Sequence, residues 1–86
     1  MLQPRIISVK PLSNHRLELQ YETGENKIFD VKPYIIGDWF SKLSDQSYFR
    51  TVKIIHNGKG IEWPDGQDIA PHELYNNSKP VLQRNT

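Results

Sequence analysis

An α+β fold is what the sequence predicts: a small antiparallel sheet of two hairpins plus an opening strand, with short helices packed across one face. Three observations carry that expectation. Residues 15–22 alternate strictly, with Leu17, Leu19 and Tyr21 on one side and Glu18, Gln20 and Glu22 on the other. Two clusters of turn residues, Thr23-Gly24-Glu25-Asn26 and Asn57-Gly58-Lys59-Gly60, each separate two strand-like runs. Between Ile35 and Phe49 the apolar spacing changes from two to about 3.6 residues.

In chain order, Arg5-Ile6-Ile7-Ser8-Val9-Lys10 is short and β-branched, and Pro11 is expected to end it in a bend. The alternating run from His15 pairs across the Gly24 turn with Ile28-Phe29-Asp30-Val31, which turns Phe29 and Val31 inward. Lys32-Pro33 breaks the strand rhythm. Asp38 is placed to cap a short helix carrying Trp39, Phe40 and Leu43, and Ser44 or Asp45 to cap a turn carrying Tyr48 and Phe49. Thr51–His56 and Ile61-Glu62-Trp63 form the second hairpin, followed by a Trp63-Pro64-Asp65-Gly66 turn and a brief pairing at Asp68–Ala70. Pro71 then opens a last helical turn with Leu74 and Tyr75. The expected domain spans residues 1–76. Residues 77–86, with only Val81 and Leu82 to bury, read as a flexible C-terminal tail.

Composition narrows the function. The 86 residues hold one small core, and a domain of this size buries only about 60 to 65% of its unfolded surface, so self-association is a natural supplement. Eleven Lys plus Arg balance ten Asp plus Glu, which argues against a strongly basic nucleic-acid binder and against an acidic tail. Zero cysteines remove thiol catalysis, disulfide scaffolds and cysteine metal sites. No apolar run approaches a membrane span or an export signal, so a cytoplasmic location is expected.

The ordered set of segments resembles a bacterial family of small proteins, domain of unknown function 2442. The residues concerned are Ile6-x-x-Val9, Leu17-x-Leu19-x-Tyr21, Gly24, Ile28-Phe29-Asp30-Val31, Trp39-Phe40-x-x-Leu43 and Phe49-Arg50-Thr51-Val52. They continue through Ile61-x-Trp63-Pro64-Asp65-Gly66-x-Asp68-Ile69 and Pro71-x-x-Leu74-Tyr75. The likeness covers about residues 4–76 and implies a compact α+β domain with an antiparallel sheet. It implies no catalytic residue. Relatives that are fused to helix-turn-helix domains or encoded beside another small protein imply an interaction or regulatory module.

Reactive constellations are scarce. His15, His56 and His72 lack the spacing that sets two ligands on one face, and Asn76 stands where a zinc-protease helix beginning at His72-Glu73 needs its second histidine. Asp65 and Asp68 flank Gly66 without the further oxygen ligands of a calcium loop. Asp30, Asp38 and Glu73 suit caps and turns. There is no G-x-S-x-G elbow and no phosphate-binding glycine loop around Gly58-Lys59-Gly60. No cofactor or metal is therefore expected.

The aromatics offer more. Most of Trp39, Phe40, Tyr48, Phe49, Trp63 and Tyr75 are expected in the core, and a surplus, Trp39 or Trp63 with Tyr75, is expected to line a groove for a partner, which makes Trp39, Trp63 and Tyr75 the candidate interface residues. Arg5, Lys10 and Arg16, with no acid before Glu18, form a candidate weak basic patch. The expected function is a non-enzymatic protein-interaction module, acting as a homodimer or with a small protein encoded nearby. The first alternative is an antitoxin-like or transcription-regulatory accessory protein contacting DNA directly or through a partner. The second is a small metal-dependent hydrolase using Asp65, Asp68 or His72.

Overall fold

A computed structural model describes residues 3–81. Strand β1 (Ile6–Leu12), β2 (Arg16–Tyr21), β3 (Asn26–Asp30) and β7 (Lys79–Pro80) form one antiparallel sheet in the order β1-β2-β3-β7. A second antiparallel sheet holds β4 (Lys53–Ile55), β5 (Gly60–Glu62) and β6 (Asp68–Ile69) in the order β4-β5-β6. The α+β class is as the sequence predicts. The hairpins, however, belong to two sheets rather than one, because the irregular helical stretch from Lys32 to Phe49 separates them along the chain.

Alternation decides what β2 buries. Leu17, Leu19 and Tyr21 all point inward, and Leu17 pairs across the ladder with Phe29. With Val31 they meet Leu43, Phe49, Ile61, Trp63, Ile69 and Leu74 in a single core between the two sheets and the short helices. Burial of this kind supplies most of the stability of a small domain.

The opening strand runs past Pro11 to Leu12, in contrast to the expected bend. The reason is its place at the sheet edge, where a proline's missing N–H need not interrupt a ladder. A bulge between Ile6 and Ser8 leaves Ile7 as the extra residue and turns it outward. The β1–β2 connection uses Asn14 and His15 in the left-handed region, at φ 62° and 57°. Asparagine tolerates that region better than most residues. The β4–β5 reversal likewise starts earlier than Asn57, with His56 and Asn57 at φ 50° and 60°.

The helices are shorter than their apolar spacing suggests: α1 (Gly37–Phe40), a 3-10 turn at Ser41–Ser44, α2 (Gln46–Phe49) and α3 (Pro71–Asn76). Asp45 caps α2 by accepting from Ser47 N–H at 2.9 Å, as its sequence position predicts. Asp38 lies within α1 and makes no capping bond, since the chain enters that helix from Ile36. Beyond Asn76, Ser78 is buried and Lys79–Pro80 pairs with Lys27–Ile28, so the sheet extends past the expected domain boundary. Val81 N–H donates to Asn26 O at 2.8 Å. The expected tail segment from Leu82 to Thr86 lies outside the described residues.

Candidate functional site

The three candidate interface aromatics have three different fates. Trp63 is fully buried at 0% exposure, and its indole N–H donates to Phe49 O at 2.8 Å. It is a core residue and has no surface to offer, which corrects its assignment to an interface. The strand alternation that puts Ile61 inward puts Trp63 inward with it.

Tyr75 is an internal clamp. Its ring meets Tyr21 edge-on at 5.1 Å, Lys27 Nζ lies 3.8 Å above its centroid, and its hydroxyl donates to the Glu25 carboxylate at 2.9 Å. Lys27 Nζ also donates to Tyr75 O at 2.7 Å, so both faces of the link between α3 and β3 are tied. A ring so engaged presents only part of itself to a partner.

The electrostatics of this clamp make a pH prediction. Hydrogen bonds from Thr23 and then Tyr75 hold the Glu25 carboxyl below its usual value, while the bond to Glu25 pushes the Tyr75 hydroxyl up. Burial, assisted by Tyr75 and Glu25, pushes the Tyr21 hydroxyl from 10.0 up to about 12. A lowered carboxyl contributes stability that is present above its unfolded pKa and lost as pH falls through the folded one. A raised phenol contributes stability that is present below about 10 and lost as pH climbs toward 12. In an alkaline titration followed by tyrosinate absorbance, Tyr21 is therefore expected to ionise last. Tyr21→Phe removes that final step, and loss of an earlier step instead would contradict the assignment.

Trp39 alone of the three stands at the surface, 56% exposed, with Ile36, three residues earlier, at 73%. Gly37, at φ 75°, turns the chain between them. Ile36 was not among the expected site residues. The signal for it is the Ile35-Ile36-Gly37 run, in which two adjacent apolar residues cannot both face one core as the chain turns into α1.

The backing of Trp39 is fixed by polar contacts. Gln67, 1% exposed, donates from Nε2 to Trp39 O at 3.1 Å and accepts from the Tyr48 hydroxyl at 3.0 Å. That hydroxyl also lies 3.0 Å from Asp65 Oδ2 and accepts from Asp65 N–H at 2.9 Å. Lys42 Nζ completes the group at 2.7 Å from Asp65 Oδ2. The Lys42 and Tyr48 bonds hold the Asp65 carboxyl below its ordinary value, and Asp65 raises Lys42 in return. Both ends of this ion pair are solvent-exposed, so its role is orientation more than stability. The Trp39 ring itself lies along the turn, with Cη2 and Cζ2 3.9 Å from where a β-carbon on Gly66 would stand. The result is an exposed indole held on a tied backbone.

Lys10 and Arg16 are diagonal neighbours on one face of the β1–β2 ladder, but Arg5 does not join them. Lys10 stands opposite Glu18 and Arg16 opposite Asp30 in the ladders, while Arg5 lies at the far end of β1, about 20 Å along the strand from the Arg16 pairing position. Glu22 Oε2 accepts from Arg5 N–H at 2.9 Å. Each member of the expected patch thus has an acid as neighbour. Among the described residues, no three His, Asp or Glu side chains lie together as a metal centre would require, Asp65, Asp68 and His72 included. No described helix is long and apolar enough to cross a membrane.

A protein-family model described as "Protein of unknown function (DUF2442)" matches residues 6–80. Neither the curated proteins nor the solved structures contain a match.

Proposed function

The chain belongs to the DUF2442 family of proteins of unknown function, and from that premise we propose that it is a non-enzymatic protein-interaction module whose contact surface centres on Trp39 and Ile36. It works as a homodimer or with a small protein encoded beside it. The observation that carries this reading is the exposed Trp39 indole on a backbone tied by Gln67. A rigid aromatic loses little conformational entropy on binding, which is why such residues anchor interfaces.

The sheet edges argue for the same surface. Unpaired edges invite strand addition, but β1 carries a bulge at Ile7, Lys10 and Pro11, and β7 ends in Pro80. These devices discourage an added strand. Strand β4 packs against β1, and β6 is only two residues long. Contact with DNA draws less support, because Lys10 and Arg16 sit opposite acids and Arg5 stands apart from them.

Light scattering of the chain alone and with the neighbouring gene product tests the proposal. A dimer or a stoichiometric complex is expected, and Trp39→Ala is expected to weaken it about 30-fold, the effect of an interface anchor. The same substitution is expected to change folding stability by less than about 1 kcal/mol, as exposed positions usually do. A strictly monomeric chain that binds nothing, or a Trp39→Ala chain that associates unchanged, would sink the reading.

A further inference from the structure

The geometry points to a second site: the cavity between the start of β1 and the Gly58–Lys59 turn binds a small organic acid, an apolar body bearing one anionic group. The cavity measures about 560 Å³, within the range of small-molecule sites. Its walls are formed by Pro4, Ile6, Tyr21 and Pro71, with Arg5 and Lys59 exposed at the rim. None of the lining residues belongs to the Trp39 cluster, so the two sites stand or fall separately.

Charge selects the class of ligand. The one ion pair among the described residues is Lys42–Asp65, so neither the Arg5 guanidinium nor the Lys59 ammonium is neutralised by a carboxylate. The single acid in the lining, Glu22, accepts from the Arg5 backbone N–H and keeps its charge, so the lining carries two cations against one carboxylate. Two unpaired cations beside an apolar wall complement an anion with an apolar body.

Tyr21 contributes to the lining as a buried residue, 1% exposed. One edge of the site is rigid, because Gly58 packs so closely that a β-carbon there would stand 2.7 Å from Ile6 O.

An amide NMR titration with benzoate and phenyl phosphate, and with benzyl alcohol as the neutral comparison, tests the inference. Saturable shifts at Arg5, Glu22, Thr23, Gly58 and Lys59 are expected from at least one acid, and whichever acid binds identifies carboxylate or phosphate as the anionic group. The double substitution Arg5→Gln, Lys59→Gln is expected to weaken binding about tenfold while preserving the rest of the spectrum. No saturable shift from either acid, equal binding of benzyl alcohol, or unchanged affinity in the double variant would overturn the assignment.

Discussion

Trp63→Ala is expected to remove about 3–5 kcal/mol of folding stability, the range for truncating a large buried aromatic. A domain of 86 residues has only about 4–13 kcal/mol to lose, so this variant sits at or near the unfolding limit. Two effects add. Trp63 is fully buried against Phe49, with ring centroids 5.8 Å apart, so alanine leaves a cavity in the centre of the core. The indole N–H donates to Phe49 O, so truncation also strands a carbonyl at the end of α2. Trp63→Phe separates them: it restores much of the volume but not the donor, and is expected to cost about 1–3 kcal/mol. Urea midpoints of the two variants, set against Trp39→Ala, provide the measurement. If Trp39→Ala were as destabilising as Trp63→Ala, the division into one core and one surface tryptophan would be wrong.

That division marks what the sequence could convey. Strand periodicity is a local property, so Leu17, Leu19, Tyr21, Phe29 and Val31 were legible as one buried face, and Asp45 as a cap. Trp39 and Trp63 look alike in a single sequence, because each sits among apolar neighbours at plausible core spacing. What separates them is long-range: the Trp63 indole bonds Phe49 O across 14 residues, whereas only the backbone carbonyl of Trp39 is tied, by Gln67 across 28. Tyr75 depends on partners still farther away, since its hydroxyl reaches Glu25 across 50 residues. The strand at Lys79–Pro80 was illegible for a related reason. Two polar or proline residues carry no strand pattern of their own, and their pairing is dictated by the open edge of β3. The surroundings of the basic residues were illegible because a linear run without acids says nothing about cross-strand neighbours: the ladders set Lys10 and Arg16 diagonally on one face, place Glu18 and Asp30 opposite them, and leave Arg5 apart.

Gly58→Ala is expected to be the most damaging of the small substitutions, at about 2–4 kcal/mol, because two independent costs meet there. The residue has φ +92°, a conformation that an L side chain adopts only under strain. Its β-carbon would also stand 2.7 Å from Ile6 O and 3.0 Å from Arg5 Cβ. The first of these contacts is backbone in a paired strand, so it cannot swing aside as a flexible side chain would. Gly24→Ala isolates the conformational part, since Gly24 has φ +93° with nothing within 4 Å of the added carbon, and is expected to cost about 1 kcal/mol. The difference between the two variants measures the clash, and equilibrium urea unfolding reads both. The damage at Gly58 is also expected to be local, falling where β1 begins. Glu22 N–H donates to Arg5 O at 2.8 Å just beside the contact, so its hydrogen-exchange protection should fall in Gly58→Ala and hold in Gly24→Ala. Equal destabilisation by the two alanines, with Glu22 equally protected in both, would show that the β4–β5 turn does not seat against β1. The wall it gives to the cavity beside Arg5 and Lys59 would then be lost as well.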